Sequence, residues 1–420
     1  MLKYIKIKNY LSFKDETFIT FESNSRWNKK DNVFSEKNTV LNKSMLIYGA
    51  NASGKTNILK AIDFIKYVAL SSFQWLYPCD PFLLDKDTIE QPSYFEIGFI
   101  EDNQEYCYKF SIFKWVFLDE SLIKVKELSN VILFNRVKWQ DKIICNDKTF
   151  EKEIQKWEWK VKDNVSFLSV LWQWNGQINW KPIGSFFEKI SIIPSNMDIP
   201  LINPSFTIEF LKLREKKNID IAVEFLRCAD IFIDDIKLEE IESDVTQMNW
   251  IPLPPTEKMR LKSTLIKIWR KVNNSDEIQY FNFNIESWWT KKLFTIFGMI
   301  LDTILNEKIL FIDEVESNLH IHILRNVFNL IHSNLERKYQ FICTTHSTEL
   351  MDLWQFKKSQ IGITQKRKNN STEFYTLEKF QDIRTENDIK KLYNIWALWG
   401  TPIVSDLTPI IEQLKLWKEN

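Results

Sequence analysis

The sequence predicts an α/β fold built on parallel strands with crossover helices, preceded by a strand-rich, antiparallel first part. Three observations lead there. From Lys292 onward the apolar pattern reads helix, strand, helix, strand over 293–305, 309–312, 321–336 and 340–344, an alternation that builds parallel sheets. A glycine-bounded run, residues 49–56, follows the apolar stretch 45–48 and opens a segment of helical spacing. The first 150 residues otherwise hold short runs of alternating apolar and polar side chains, the pattern of half-buried strands.

Taken in order, the runs 4–7, 18–21, 44–48, 93–100 and 106–113 predict strands. Ile58, Leu59, Ala61, Ile62 and Ile65 place one apolar face on a helix over 55–69. The text changes near residue 150. Amphipathic stretches at 208–215 and 220–232 predict a mostly helical insertion over 151–265, and Pro252, Pro254 and Pro255 mark a loop near its far end. Three segments follow: 1–150, 151–265 and 266–420. There is no internal repeat and no sustained heptad, so long coiled-coil arms are not expected.

Composition narrows the class. The 56 basic and 56 acidic side chains cancel, so no global field draws the chain to nucleic acid or to an anionic membrane. The opening residues alternate like a strand and lack an apolar leader core. The longest apolar stretch, at 293–305, is interrupted by Asp302 and is too short for a membrane span. Five scattered cysteines without a CxxC pair argue against disulfides or zinc and for a reducing cytoplasm.

Two motifs carry chemistry. Gly49-Ala50-Asn51-Ala52-Ser53-Gly54-Lys55-Thr56 matches GxxxxGK[ST] between a strand and a helix. Glycines let the backbone curl so that successive N–H groups face phosphate, and the helix N-terminus adds partial positive charge. Lys55 is the candidate for the β- and γ-phosphates and Thr56 for Mg²⁺; Asn57 completes the phosphate-binding candidates. Downstream, Ile309-Leu310-Phe311-Ile312 ends in Asp313 and Glu314. Asp313 is the second candidate Mg²⁺ ligand and Glu314 the candidate general base for water. The run 340–344 delivers His346 to the same sheet edge, where a γ-phosphate sensor would sit. His322 and His332 read as helix-surface residues. Phosphate chemistry does not name the base, so ATP is expected over GTP only from the resemblance that follows.

Residues 49–56, 309–314 and 317–320 with His346 resemble the ABC-type ATPase heads of SMC, RecF and OLD-like proteins. More closely, the chain resembles stand-alone bacterial ABC-like ATPases of the fifteenth AAA family, nearly end to end. The likeness is carried by Ile5-Lys6-Ile7-Lys8-Asn9-Tyr10-Leu11-Ser12-Phe13-Lys14, by Pro81-Phe82-Leu83-Leu84-Asp85 with Tyr94-Phe95-Glu96-Ile97, by Glu286-Ser287 with Thr290-Lys291-Lys292-Leu293-Phe294, and by residues 313–320. It implies an ABC-type P-loop NTPase head that hydrolyses ATP with Mg²⁺. It also implies a homodimer sandwiching two ATP molecules, in which Ser287 of one copy caps the γ-phosphate held by the other. Some relatives serve phage-defence or abortive-infection systems beside a separately encoded effector protein.

One departure stands out. The family's ESxGT reads Glu286-Ser287-Trp288-Trp289-Thr290 here, with tryptophan where backbone must approach phosphate. The resemblance expects glycine at 396 and 399 as well, where Trp396 and Trp399 stand between Tyr393 and Pro402. Trp139, after Phe134-Asn135-Arg136, and Trp115 fall at turns. The chain has 8 glycines and 17 tryptophans, and the two counts together approach the glycine number that an average ~7% usage predicts. A UGA codon read as tryptophan but decoded as glycine in the source would produce this pattern.

Three other functions stay open from sequence. Intrinsic nuclease activity would need a metal motif after His346, and Glu386, Asp388 and Asp406 do not form one. An ATP-binding scaffold without turnover fits Trp289 and not Glu314. A RecF-like DNA-repair ATPase would use the basic runs 124–126 and 260–271, which leaves nucleic acid open as a partner.

Overall fold

The computed structural model describes residues 1–23, 30–73, 78–140, 142–175, 180–195, 205–213, 215–245, 247–248, 251–252, 259–271, 277–333 and 336–380. Positions 386, 388, 393, 396, 399, 402 and 406, like Pro254 and Pro255, lie outside these residues.

Two six-stranded sheets organise the molecule. The central one has the order Ile190–Ile193, Ile309–Ile312, Gln340–Thr344, Ser44–Gly49, Ile361–Lys366, Thr372–Thr376. Its first five strands are parallel and the last is antiparallel. All six residues of Ser44–Gly49 are buried, as a strand covered on both faces requires. Strand alternation sorts its side chains between two cores. Met45, Ile47, Ile309, Phe311 and Ile342 face the helix Lys55–Ser71 and the N-terminal sheet. Leu46, Tyr48, Leu310, Ile312, Phe341 and Cys343 face the helices Glu215–Cys228, Trp288–Leu305 and Ile321–Ile331.

The second sheet is antiparallel throughout, in the order Thr17–Thr20, Leu2–Lys8, Ser93–Glu101, Gln104–Phe113, Val116–Val125, Val131–Val137. The Gln340 side-chain amide ties it to the central sheet. Its Oε1 accepts the Leu2 N–H at 2.7 Å and its Nε2 donates to the Leu2 carbonyl at 2.9 Å. Gln340 is fully buried, so losing either bond would strand a buried polar group.

The stretch read as mostly helical over 151–265 is helical as far as Cys228 except for Ile190–Ile193, the edge strand of the central sheet. Antiparallel strands follow, Asp235–Val245 paired with Met259–Lys271 and then Ile278–Asn282. Their frequent charged residues mask the alternation of Ile236 and Leu238 and of Ile266 and Ile268. The helix Ser205–Leu213 ties this stretch to the helix Trp288–Leu305: Thr207 donates its hydroxyl to the Phe294 carbonyl at 2.9 Å. A Cβ on Gly298 would lie 2.0 Å from that hydroxyl, so glycine permits the approach. Among the described residues no helix is long and apolar enough to cross a membrane.

Candidate functional site

The parallel order places Gln340–Thr344 between the strand that ends at Gly49 and the strand that ends at Ile312. Three carboxyl-terminal strand ends therefore meet, and they bring together residues 257 positions apart in sequence. Thr56 donates its hydroxyl to Asp313 Oδ2 at 2.9 Å, Thr344 donates to Asp313 Oδ1 at 2.6 Å, and the Glu314 N–H donates to Thr344 Oγ1 at 2.7 Å. Asp313 is 1% exposed.

The loop itself is shaped by its glycines. Gly54 has φ 106°, and a Cβ there would meet Thr372 Oγ1 at 2.2 Å and Ser12 Oγ at 2.8 Å. Ala52 also sits in the left-handed region, at φ 59°. Lys55 is buried and donates to the carbonyls of Gly49 and Ala50 at 2.8 and 3.1 Å. Burial lowers its pKa to about 8, against the opposing pull of Glu316, Asp313 and Glu314.

Glu314 adopts φ 46° and ψ 62°. A left-handed glutamate is strained by an amount on the order of 1–3 kcal/mol, the kind of outlier that collects at functional sites. His346 is half-buried, and burial followed by the nearby Lys55 charge lowers its pKa. Its ring is thus biased towards neutrality and suited to hydrogen bonding rather than to carrying charge. Its backbone N–H donates to Glu316 Oε1.

The sequence-predicted residues 49–57, Asp313, Glu314 and His346 thus gather at one sheet edge. Ser287 belongs to another place. It is exposed, it caps the helix Trp288–Leu305, and its hydroxyl accepts the Thr290 N–H at 3.1 Å. Lys292, one turn on, is the link back: it donates to the Ser317 carbonyl at 2.9 Å, three residues past Glu314.

Several supporting residues escaped sequence reasoning. Ser53 Oγ and Thr364 Oγ1 are 2.6 Å apart; Thr372 donates to the Ser53 carbonyl at 2.8 Å and its Oγ1 lies 2.7 Å from Ser12 Oγ; Asn57 donates to Ser12 Oγ at 2.8 Å. Thr364 and Thr372 stand on strands after His346 that no motif announces. Glu316 and Thr344 were within reach, since each lies two residues from a predicted one. His332 is a correction. It is no plain helix-surface residue, because its Nε2 lies 2.8 Å from Ser44 Oγ at the start of the P-loop strand and its ring packs edge-on against Phe356. Helical spacing could not show that the helix ends against the central sheet. His322 is exposed as expected.

The donor set fits a magnesium nucleotide. A hydroxyl and a carboxylate, both hard oxygen donors, converge beside the phosphate loop, which is what Mg²⁺ prefers.

No curated protein matches the sequence. Among solved structures the chain is similar to the SMC head domain from Thermotoga maritima, 14% identical over 89% of this chain and 98% of that one, with a TM-score of 0.40. It is also similar to an Smc head bound to the C-winged helix domain of ScpA, at 13% identity, 90% and 99% coverage and a TM-score of 0.43. The family model described as "AAA domain, putative AbiEii toxin, Type IV TA system" matches residues 44–352, well over half of the chain, and the chain therefore belongs to that family of ATPase domains.

Proposed function

We propose that the chain is a cytoplasmic ATP-driven switch that hydrolyses ATP at a composite site shared by two copies. The observation that carries this reading is the bond from Thr56 to Asp313 with Glu314 held strained beside it. A binder alone has no use for a strained carboxylate at the place where water would attack.

In this reading the backbone of residues 49–57 and Lys55 hold the phosphates. Thr56 and Asp313 hold Mg²⁺, which supplies charge neutralisation for the β- and γ-phosphates when bound. Glu314 orients and polarises the water, and His346 reports on the γ-phosphate through a hydrogen bond. Ser287 of a second copy caps the γ-phosphate, making the working form a homodimer. The insertion, bonded to the Ser287 helix through Thr207, relays closure to a separately encoded effector protein, in a phage-defence or abortive-infection setting.

A scaffold that binds ATP without turnover has one observation in its favour, the exposed Trp289 at the capping segment. A DNA-repair role of the RecF kind has less support. In the basic run 260–271, Lys267 pairs with Glu239 at 2.5 Å and Arg270 with Glu286 at 2.8 Å, so part of the charge is already answered within the chain.

The test is nucleotide binding and phosphate release side by side, for a Trp289→Gly parent and for Lys55→Ala and Glu314→Gln made in it. The ATPase reading expects Glu314→Gln to bind ATP without releasing phosphate and Lys55→Ala to lose both. Equal turnover by the parent and Glu314→Gln would remove Glu314 from the mechanism.

A further inference from the structure

We infer that positions 115, 139 and 289 are glycine in the protein as its own cells make it, encoded by a UGA triplet that this sequence renders as tryptophan.

The backbone argues for the first two. Lys114 and Trp115 are the two central residues of the hairpin between Gln104–Phe113 and Val116–Val125, closed by the pair Phe113↔Val116. Their φ values are 44° and 74°. A two-residue turn with positive φ at both places is of the primed type, and its second place belongs above all to glycine. The preceding hairpin of the same sheet gives an internal comparison. There Asp102 and Asn103 hold φ 49° and 57°, and these are the side chains that tolerate that region. Trp139 has φ 76° in the turn where Gln140 N–H donates to the Val137 carbonyl at 3.1 Å. A bulky residue in the left-handed region is an outlier.

Burial does not repay the strain. Trp115 is 48% exposed and Trp139 is 89% exposed, with the Lys138 ammonium 4.6 Å from its ring. Trp180 shows what a tryptophan required by packing looks like. It is 0% exposed, donates Nε1–H to Glu153 at 2.7 Å and meets Phe150 edge-on with centroids 4.6 Å apart. The composition points the same way, with 8 glycines against 17 tryptophans.

Position 289 rests on the function proposed above. Trp289 is 53% exposed at the second residue of the helix that Ser287 caps. A second copy's phosphate could reach that backbone only if no indole stood on it.

The test is peptide mass spectrometry of the protein isolated from its source cells, covering 115, 139 and 289. Glycine is expected at all three. Tryptophan at 115 or 139 overturns the inference. Glycine at both with tryptophan at 289 overturns its third member. Glycine at all three in a protein that never releases phosphate would sink the ATPase reading and leave this one standing. As a second measurement, Trp115→Gly and Trp139→Gly should each raise the Tm of the recombinant chain by roughly 1–3 °C. The matching alanine variants, which keep the left-handed strain, should not. A fall in Tm on glycine substitution also overturns the inference.

Discussion

Two helices of this chain begin at segments proposed to meet phosphate, and they are built in opposite ways. The helix Lys55–Ser71 begins in a loop braced from several directions: Thr364 and Thr372 on two later strands, Ser12 near the start of the chain, and Asp313 just past the end of a third strand. The helix Trp288–Leu305 begins in the open. Among the described residues, its capping hydroxyl, Ser287, is answered only by Thr290 of the same helix. The first half of the proposed site is complete within one chain. The second satisfies itself locally, so that a second copy has something to take over at little cost. That asymmetry is the physical content of a composite site: one half rigid and prepaid in folding, the other exposed and exchangeable.

The comparison breaks most sharply at the catalytic carboxylate. Glu314→Gln should lower phosphate release by about 10²–10⁴-fold with ATP binding kept, as loss of a general base does. Trp289→Gly should then restore or raise turnover in the otherwise unaltered chain, and equal turnover by the two would move the capping segment elsewhere. In the Trp289→Gly background, a Lys55→Ala copy mixed with a Ser287→Ala copy should release phosphate that neither releases alone. The mixed dimer retains one intact pair of halves; failure of the mixture, with dimers seen by light scattering, would show that the halves do not meet between copies.

A smaller effect tests the bracing. Thr372→Val removes its bonds to Ser53 of the loop and to Ser12, each worth about 1 kcal/mol net, so stability should fall by roughly 2 kcal/mol in denaturant titration.

Proton linkage comes next. Because burial lowers the Lys55 pKa to about 8, the folded chain holds this lysine neutral between about pH 8 and its ordinary 10.5, where the unfolded chain holds it charged. Stability from this group therefore rises with pH across that window, and below it the buried charge is a standing cost. Phosphate favours the ammonium form, so ATP binding near pH 9 should take up a proton. Calorimetry in buffers of different ionisation heat reads that uptake directly, and Lys55→Met should abolish it. The smallest effect on stability belongs to Ser287→Ala, about 1 kcal/mol for a lost helix cap, measurable by denaturant titration.

What was legible in the sequence follows from which forces are local. The phosphate loop shows because glycine, lysine and threonine must stand in fixed order wherever backbone N–H groups wrap phosphate. The acidic strand shows because a strand buried on both faces is a solid apolar run that its first carboxylates end. The helices read over 55–69 and 293–305 show by their periodicity, inside the observed Lys55–Ser71 and Trp288–Leu305. The long strands Asp235–Val245 and Met259–Lys271 were obscured, since their pairing is a property of two segments and not of either alone.

The sequence by itself determined which residues are on offer: a glycine-bounded loop with Lys55 and Thr56, the pair Asp313 and Glu314, and His346, on an α/β frame. Only the tertiary structure decided which strand ends meet, that Thr344 and Glu316 join the site, that His332 serves the P-loop strand, and that Ser287 caps its own helix. It also turned a compositional oddity into backbone geometry, by setting Trp115 and Trp139 at positive φ. The reason is the same in each case. A motif encodes what a few neighbouring residues do to one another, whereas strand order, register and burial are set by contacts with parts of the chain that the motif does not contain.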